Sequence, residues 1–198
     1  MPFDVIGIAG SLRKASYNRT LLAAAVELAP PGLAIEPASI AGIPLFDGDV
    51  EAAGIPASVL ALKERVRRAD GLLLVTPEYN YSVPGVLKNA IDWLSRKPDQ
   101  PFAGKPAAIM GASNGRFGTV RSQQHLRAVA AAVGLIVLPT PEVMVSNAGE
   151  TIDAAGRLTD EVTRAAVTKL LVAFEAWIAR WHAGAQGASA TGSRAGRE

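Results

Sequence analysis

Short unbroken apolar runs alternate along the chain with longer stretches in which apolar residues return every three or four positions. That alternation predicts parallel strands joined by covering helices. Residues 4–9 form the first predicted strand, and residues 33–37 a weaker second one. In residues 18–29, Leu21, Leu22, Ala25, Val26, Leu28 and Ala29 share one side at helical spacing, and Pro30 and Pro31 end the helix. Residues 70–75 (Asp-Gly-Leu-Leu-Leu-Val) lack alternation altogether, which predicts a central strand buried on both faces. A fourth strand is expected at 107–111 and a fifth at 135–138, closed by Pro139 and Pro141.

Helices are predicted between these runs. One covers residues 57–68. The next opens with Ser82 as N-cap and Pro84 in its first turn, and buries Val83, Leu87, Ala90, Ile91 and Leu94. Another spans residues 118–133. The last opens at Thr159, with Asp160 and Glu161 suiting the helix dipole and Val162, Ala166, Leu170, Phe174, Trp177 and Trp181 as its buried stripe. Five strands and five helices make one doubly wound α/β domain over residues 1–183. From residue 184 onward the chain is almost entirely Gly, Ala, Ser and Arg, so 184–198 is expected to be a mobile tail. A sheet of this size usually has the order 2-1-3-4-5 and binds its ligand at the carboxyl edge, beside the switch between the first and third strands. Residues 39–56, with the apolar cluster Ile43, Pro44, Leu45 and Phe46, are longer than most connections and suggest an interface or functional loop.

Composition narrows the chemistry. The 198 residues are 49% hydrophobic, enough for a full core without covalent staples, and the absence of cysteine removes disulfides, thiolate metal sites and a cysteine nucleophile. His125 and His182 stand far apart and outside any His-x-x-x-His pattern, which argues against a metal centre. The amino terminus has no basic region and no apolar run approaches a membrane span, so a cytoplasmic protein with no membrane contact is expected. The net charge of +2 comes from scattered Lys and Arg, which disfavours nucleic acid yet suits a small anionic ligand.

Three loops at the carboxyl edge carry the candidate chemistry. The first, residues 10–18, offers the Ser11 and Ser16 hydroxyls, the Arg13 charge and the Asn18 amide at a helix start, a set suited to an anion. It matches neither the P-loop nor the dinucleotide fingerprint, and so points to a mononucleotide. The second, residues 76–85, gathers Pro77, Glu78, Tyr79, Asn80 and Tyr81, flat and hydrogen-bonding groups suited to a planar heteroaromatic ring.

Gly10-Ser11-Leu12-Arg13 with Ser16 and Asn18, then Pro77-Glu78-Tyr79-Asn80, Pro84-Gly85, Leu87-Lys88-Asn89-Ala90 and Asp92-Trp93, resemble the NADPH-dependent FMN reductase family of the flavodoxin-like superfamily, nearest its bacterial quinone and chromate reductase branch. The resemblance implies a flavodoxin-like fold and an FMN phosphate on Ser11, Arg13, Ser16 and Asn18. It also implies an isoalloxazine ring lined by Pro77, Glu78, Tyr79 and Asn80 and closed by Ser113, Asn114 and Gly115. The third loop here begins Ala112-Ser113, where relatives often carry two serines. NADPH or NADH would be the co-substrate, a quinone or similar molecule the acceptor, and a homodimer or homotetramer the assembly.

Two other functions fit parts of the sequence. Gly111-Ala112-Ser113-Asn114-Gly115 also spells a hydrolase nucleophile elbow, with Ser113, Asp153 or Asp160, and His182 in the required chain order. A flavin electron carrier without small-molecule turnover would share the fold, although such carriers tend to be acidic. Arg116 is a candidate contact for a pyridine-nucleotide phosphate.

Overall fold

Each strand sends alternate side chains to opposite faces, and this period of two divides the interior into two cores. The computed structural model describes the backbone of residues 1–192 and the side chains of residues 1–184. Strand β1 (Phe3–Ala9) lies between β2 (Leu33–Ala38) and β3 (Gly71–Val75), with β4 (Pro106–Ala112) beyond β3, all parallel. Val5, Leu73, Val75, Ala108 and Met110 face α1 (Tyr17–Glu27) and α6 (Glu161–Gly192). Ile6, Ile8, Leu72, Leu74 and Ile109 face α3 (Ala57–Arg68), α4 (Gly85–Leu94) and α5 (Val120–Ala132). All of β3 is buried, as its unbroken apolar run predicts.

The expected order 2-1-3-4-5 is present, but the fifth position is divided. β5 (Ile136–Val137) pairs with Pro106 and Ala107, the chain leaves the ladder at Pro139 and Pro141, and β6 (Val143–Val145) returns to pair with Met110, Gly111 and Ala112. Proline has no N–H to give the ladder, so the two prolines interrupt one edge strand and make a six-stranded sheet from the expected five. Arg127 braces the gap by donating to the Leu138 carbonyl at 3.0 Å and pairing with Glu142 at 3.1 Å.

Other differences are local. A short helix, α2 (Gly48–Ala53), sits in the long connection with none of its residues buried, so no apolar period announces it. Helix α4 starts after Pro84, and the Ser82 hydroxyl meets His125 Nδ1 at 3.0 Å instead of capping. Helix α6 buries Val167, Leu170, Leu171, Phe174 and Ile178, while Val162 is 79% and Trp181 40% exposed, so its buried stripe is rotated from the predicted one. The helix also runs past Gly184 to Gly192, and of the expected tail, residues 193–198 lie outside the described residues. No helix among the described residues is long and apolar enough to cross a membrane.

Candidate functional site

The carboxyl ends of β1, β3 and β4 deliver three loops to a cavity of about 190 Å³. Ser11, Arg13, Ser16 and Asn18 line it from the first loop, Pro77, Glu78 and Tyr79 from the second, and Ser113 and Asn114 from the third. Of the candidates, Asn80 and Gly115 do not line it, whereas Tyr17, which was not a candidate, and Ala112, which opens the third loop where relatives often carry serine, do.

The first loop leaves a helix start free. Ser16 precedes α1 in extended conformation, its side chain does not cap the helix, and the first turn holds no acidic residue. The leading N–H groups of α1 therefore keep their partial positive charge at the cavity. Ser11 is buried, with its hydroxyl 3.2 Å from the Tyr79 hydroxyl, which joins the first and second loops. Arg13 is exposed and donates to the Ala15 carbonyl at 2.7 Å, with its guanidinium 5.7 Å from the Tyr17 ring centre. The Asn18 amide, expected to serve an anion, is instead engaged within the protein. Asn18 is 2% exposed, and its amide donates to the Ala112 carbonyl at 2.8 Å and accepts the Ala112 N–H at 2.9 Å, tying α1 to the end of β4.

The second loop is fastened to α5. Glu78 accepts the N–H groups of Arg121 and Ser122 at 3.0 and 3.1 Å and pairs with the Arg121 guanidinium at 3.3 Å. Tyr79 and Ser82 exchange backbone bonds around Asn80 and Tyr81, whose φ values of 49° and 63° form a tight left-handed hairpin turn. The Arg121 guanidinium stacks 4.1 Å from the Tyr81 ring centre and 5.0 Å from that of Phe117. Tyr79, which lines the cavity, is 45% exposed, and Tyr81 and Phe117, joined through Arg121, are 66 and 59% exposed, so flat apolar surface continues outward from the second loop.

The third loop reaches back to the first. Asn114 donates to the Tyr17 hydroxyl at 3.1 Å and accepts the Gly149 N–H at 2.8 Å, and the Ser113 hydroxyl accepts the Gly115 N–H at 3.1 Å. A Cβ on Gly111 would overlap the Thr76 carbonyl and lie 2.6 Å from the Thr119 hydroxyl, so only glycine lets β4 pass there. The hydrolase triad is absent. His182 lies at the opposite edge of the sheet, 3.4 Å from Asp70 and with its ring tilted against that of Phe3, while His125 is engaged with Ser82. Asp153 is bound to Arg157, and Asp160 accepts the Thr163 N–H.

Sequence reading also missed Arg121 and Ser122, and one signal for Ser122 was available. Ser122 falls four and eight residues before Leu126 and Ala130 on the buried stripe of α5, and a polar residue at a core position has to find polar partners. The donor set fits an anion carried on a flat ring, with the uncapped helix start, two hydroxyls and Arg13 at one end and exposed tyrosines at the other. Among the described residues no group of His, Asp and Glu could hold a metal.

Comparison with known proteins agrees with this chemistry. Residues 3–150 match the family model described as NADPH-dependent FMN reductase. An NAD(P)H-dependent FMN reductase of Pseudomonas aeruginosa is 54% identical over 176 residues, covering 89% of this chain and 95% of the relative. A quinone reductase of Escherichia coli is 46% identical over 180 residues, covering 89% and 96%. Among solved structures, the flavoenzyme NAD(P)H:(acceptor) oxidoreductase FerB of Paracoccus denitrificans superposes with a TM-score of 0.82 at 37% identity, covering 90% of this chain and 98% of that one.

Proposed function

The chain belongs to the NADPH-dependent FMN reductase family, and on that premise we propose that it binds FMN in the three-loop site and passes two electrons from NADPH or NADH to a quinone or similar acceptor. The observation that carries this reading is the uncapped start of α1 beside Ser11, Arg13 and Ser16 in the three-loop cavity. Those groups would hold the phosphate. Pro77, Tyr79, Ser113 and Asn114 would flank the ring, with Asn80 and Gly115 at its rim. Asn18 would serve indirectly, by fixing the helix start against β4.

Bound FMN supplies the hydride chemistry, accepting from a nicotinamide and returning electrons to the acceptor. The protein's work is to bind, orient and admit. Glu78 is occupied by α5 and is not free to act as an acid at the ring. Arg116, stacked 6.0 Å from the Phe117 ring centre, and Arg121 give this outward surface the positive charge that an anionic dinucleotide needs. We assign self-association, as a homodimer or homotetramer, to the exposed apolar side chains Leu45, Tyr81 and Phe117, and the compartment to the cytoplasm.

Initial rates with FMN-loaded protein, NADPH or NADH, and 1,4-benzoquinone test the assignment. Double-reciprocal lines that stay parallel as quinone is varied are expected, because nicotinamide leaves before the acceptor enters. Flavin that nicotinamide reduces without quinone turnover would make the protein a carrier.

A further inference from the structure

Helix α5 lacks a cap of its own. The Thr119 side chain makes no capping bond, and the first turn contains no acidic residue. Its opening N–H groups are instead taken by a carboxylate from another loop, because Glu78 Oε2 accepts from both Arg121 and Ser122 while Oε1 meets the Arg121 guanidinium. The Glu78 side chain is 8% exposed, so its charge is committed to this contact. Ser122 adds two more links, donating to the Pro77 carbonyl at 2.8 Å and sharing a hydrogen bond with Thr76 at 2.9 Å. The loop thus hangs on the first turns of α5.

That attachment supports a backbone conformation that L-residues disfavour. Asn80 and Tyr81 both have positive φ, and such a turn persists only where its surroundings hold it. The hydrogen bonds among the described residues leave the N–H groups of Glu78 and Asn80 unused. We propose that Glu78 is the positioning residue of the ring loop: by capping α5 it fixes the loop's free N–H groups at the flavin edge and so sets both the affinity for FMN and its reduction potential. The inference rests on FMN binding as proposed above. Preorganised donors stabilise the negative charge a flavin gains on reduction, so loosening them makes the potential more negative.

The test compares the whole protein with its Glu78→Gln and Glu78→Ala variants. FMN dissociation constants come from fluorescence titration and midpoint potentials from FMN-saturated samples. Glutamine keeps the volume but loses the charge that faces the helix dipole and Arg121. The expected result is a dissociation constant raised at least tenfold and a more negative potential in both variants. An unchanged potential in the saturated variants overturns the proposal, whatever happens to affinity. Should Glu78→Ala fail to fold, Ser122→Ala loosens the same loop without touching the carboxylate, and its potential must move in the same direction. A wild-type protein that retains no FMN overturns the function itself, an outcome separate from retention with unaltered variants.

Discussion

Asn18 and Ala112 exchange two hydrogen bonds inside the protein, and both ends of that bracket are buried. Replacing Asn18 with Ala leaves the Ala112 N–H and carbonyl without partners, which is expected to cost about 1–3 kcal/mol in urea unfolding. Arg13 is the opposite kind of residue. Exposed and bonded only within its own loop, it adds little to the fold, so Arg13→Ala should leave unfolding unchanged while weakening FMN binding by about ten- to a hundredfold in a fluorescence titration. Ser113→Ala removes a hydroxyl that accepts only a local N–H, and most oxidoreductase turnover should survive it in the quinone assay. The types of these residues were readable in the sequence, but their orientations were not. Glu78 and Asn18 turn toward partners 43 and 94 positions away, and no local pattern encodes so distant a hydrogen bond.

Helix α6 shows how far the apolar period carries. Leu170 and Phe174 were legible as core, but the stripe built from Val162 and Trp181 is rotated, because two nearly adjacent apolar faces compete along this helix and only packing decides between them. Phe174→Ala is expected to cost about 3–5 kcal/mol and Trp181→Ala far less, measured by chemical denaturation. The start of the helix adds a pH dependence. Hydrogen bonds from the Thr163 side chain and backbone hold the Asp160 carboxyl below its ordinary value. A carboxylate lowered in the folded state stabilises fully above its unfolded pKa, near 3.9 for aspartate, and loses that contribution as pH falls through the folded value. Thermal melts from pH 7 to pH 3 should therefore show a shallower acid decline for Asp160→Asn than for the wild type. At the far edge of the sheet the prolines announced an ending, yet the return of the chain as β6 was hidden, since three residues are too few to show a period.

Across the whole molecule, the sheet separates two edges with different work. The carboxyl edge gathers the uncapped helix start, the ring loop and the exposed tyrosines, whereas the amino edge holds His182 and Asp70 in a contact remote from Ser113. Alternating apolar runs made the doubly wound order legible, and the switch-point rule then identified the loops that converge. What stayed illegible was how tightly α5 grips the second loop, since Arg121 and His125 resemble ordinary surface residues of a helix. The central claim is an FMN site that nicotinamide can reduce. Its most direct test is the absorbance spectrum of protein mixed with FMN and desalted, then treated with NADPH or NADH without oxygen. Flavin bands that survive desalting and bleach rapidly are the predicted result, and protein that emerges colourless after excess FMN would contradict the account.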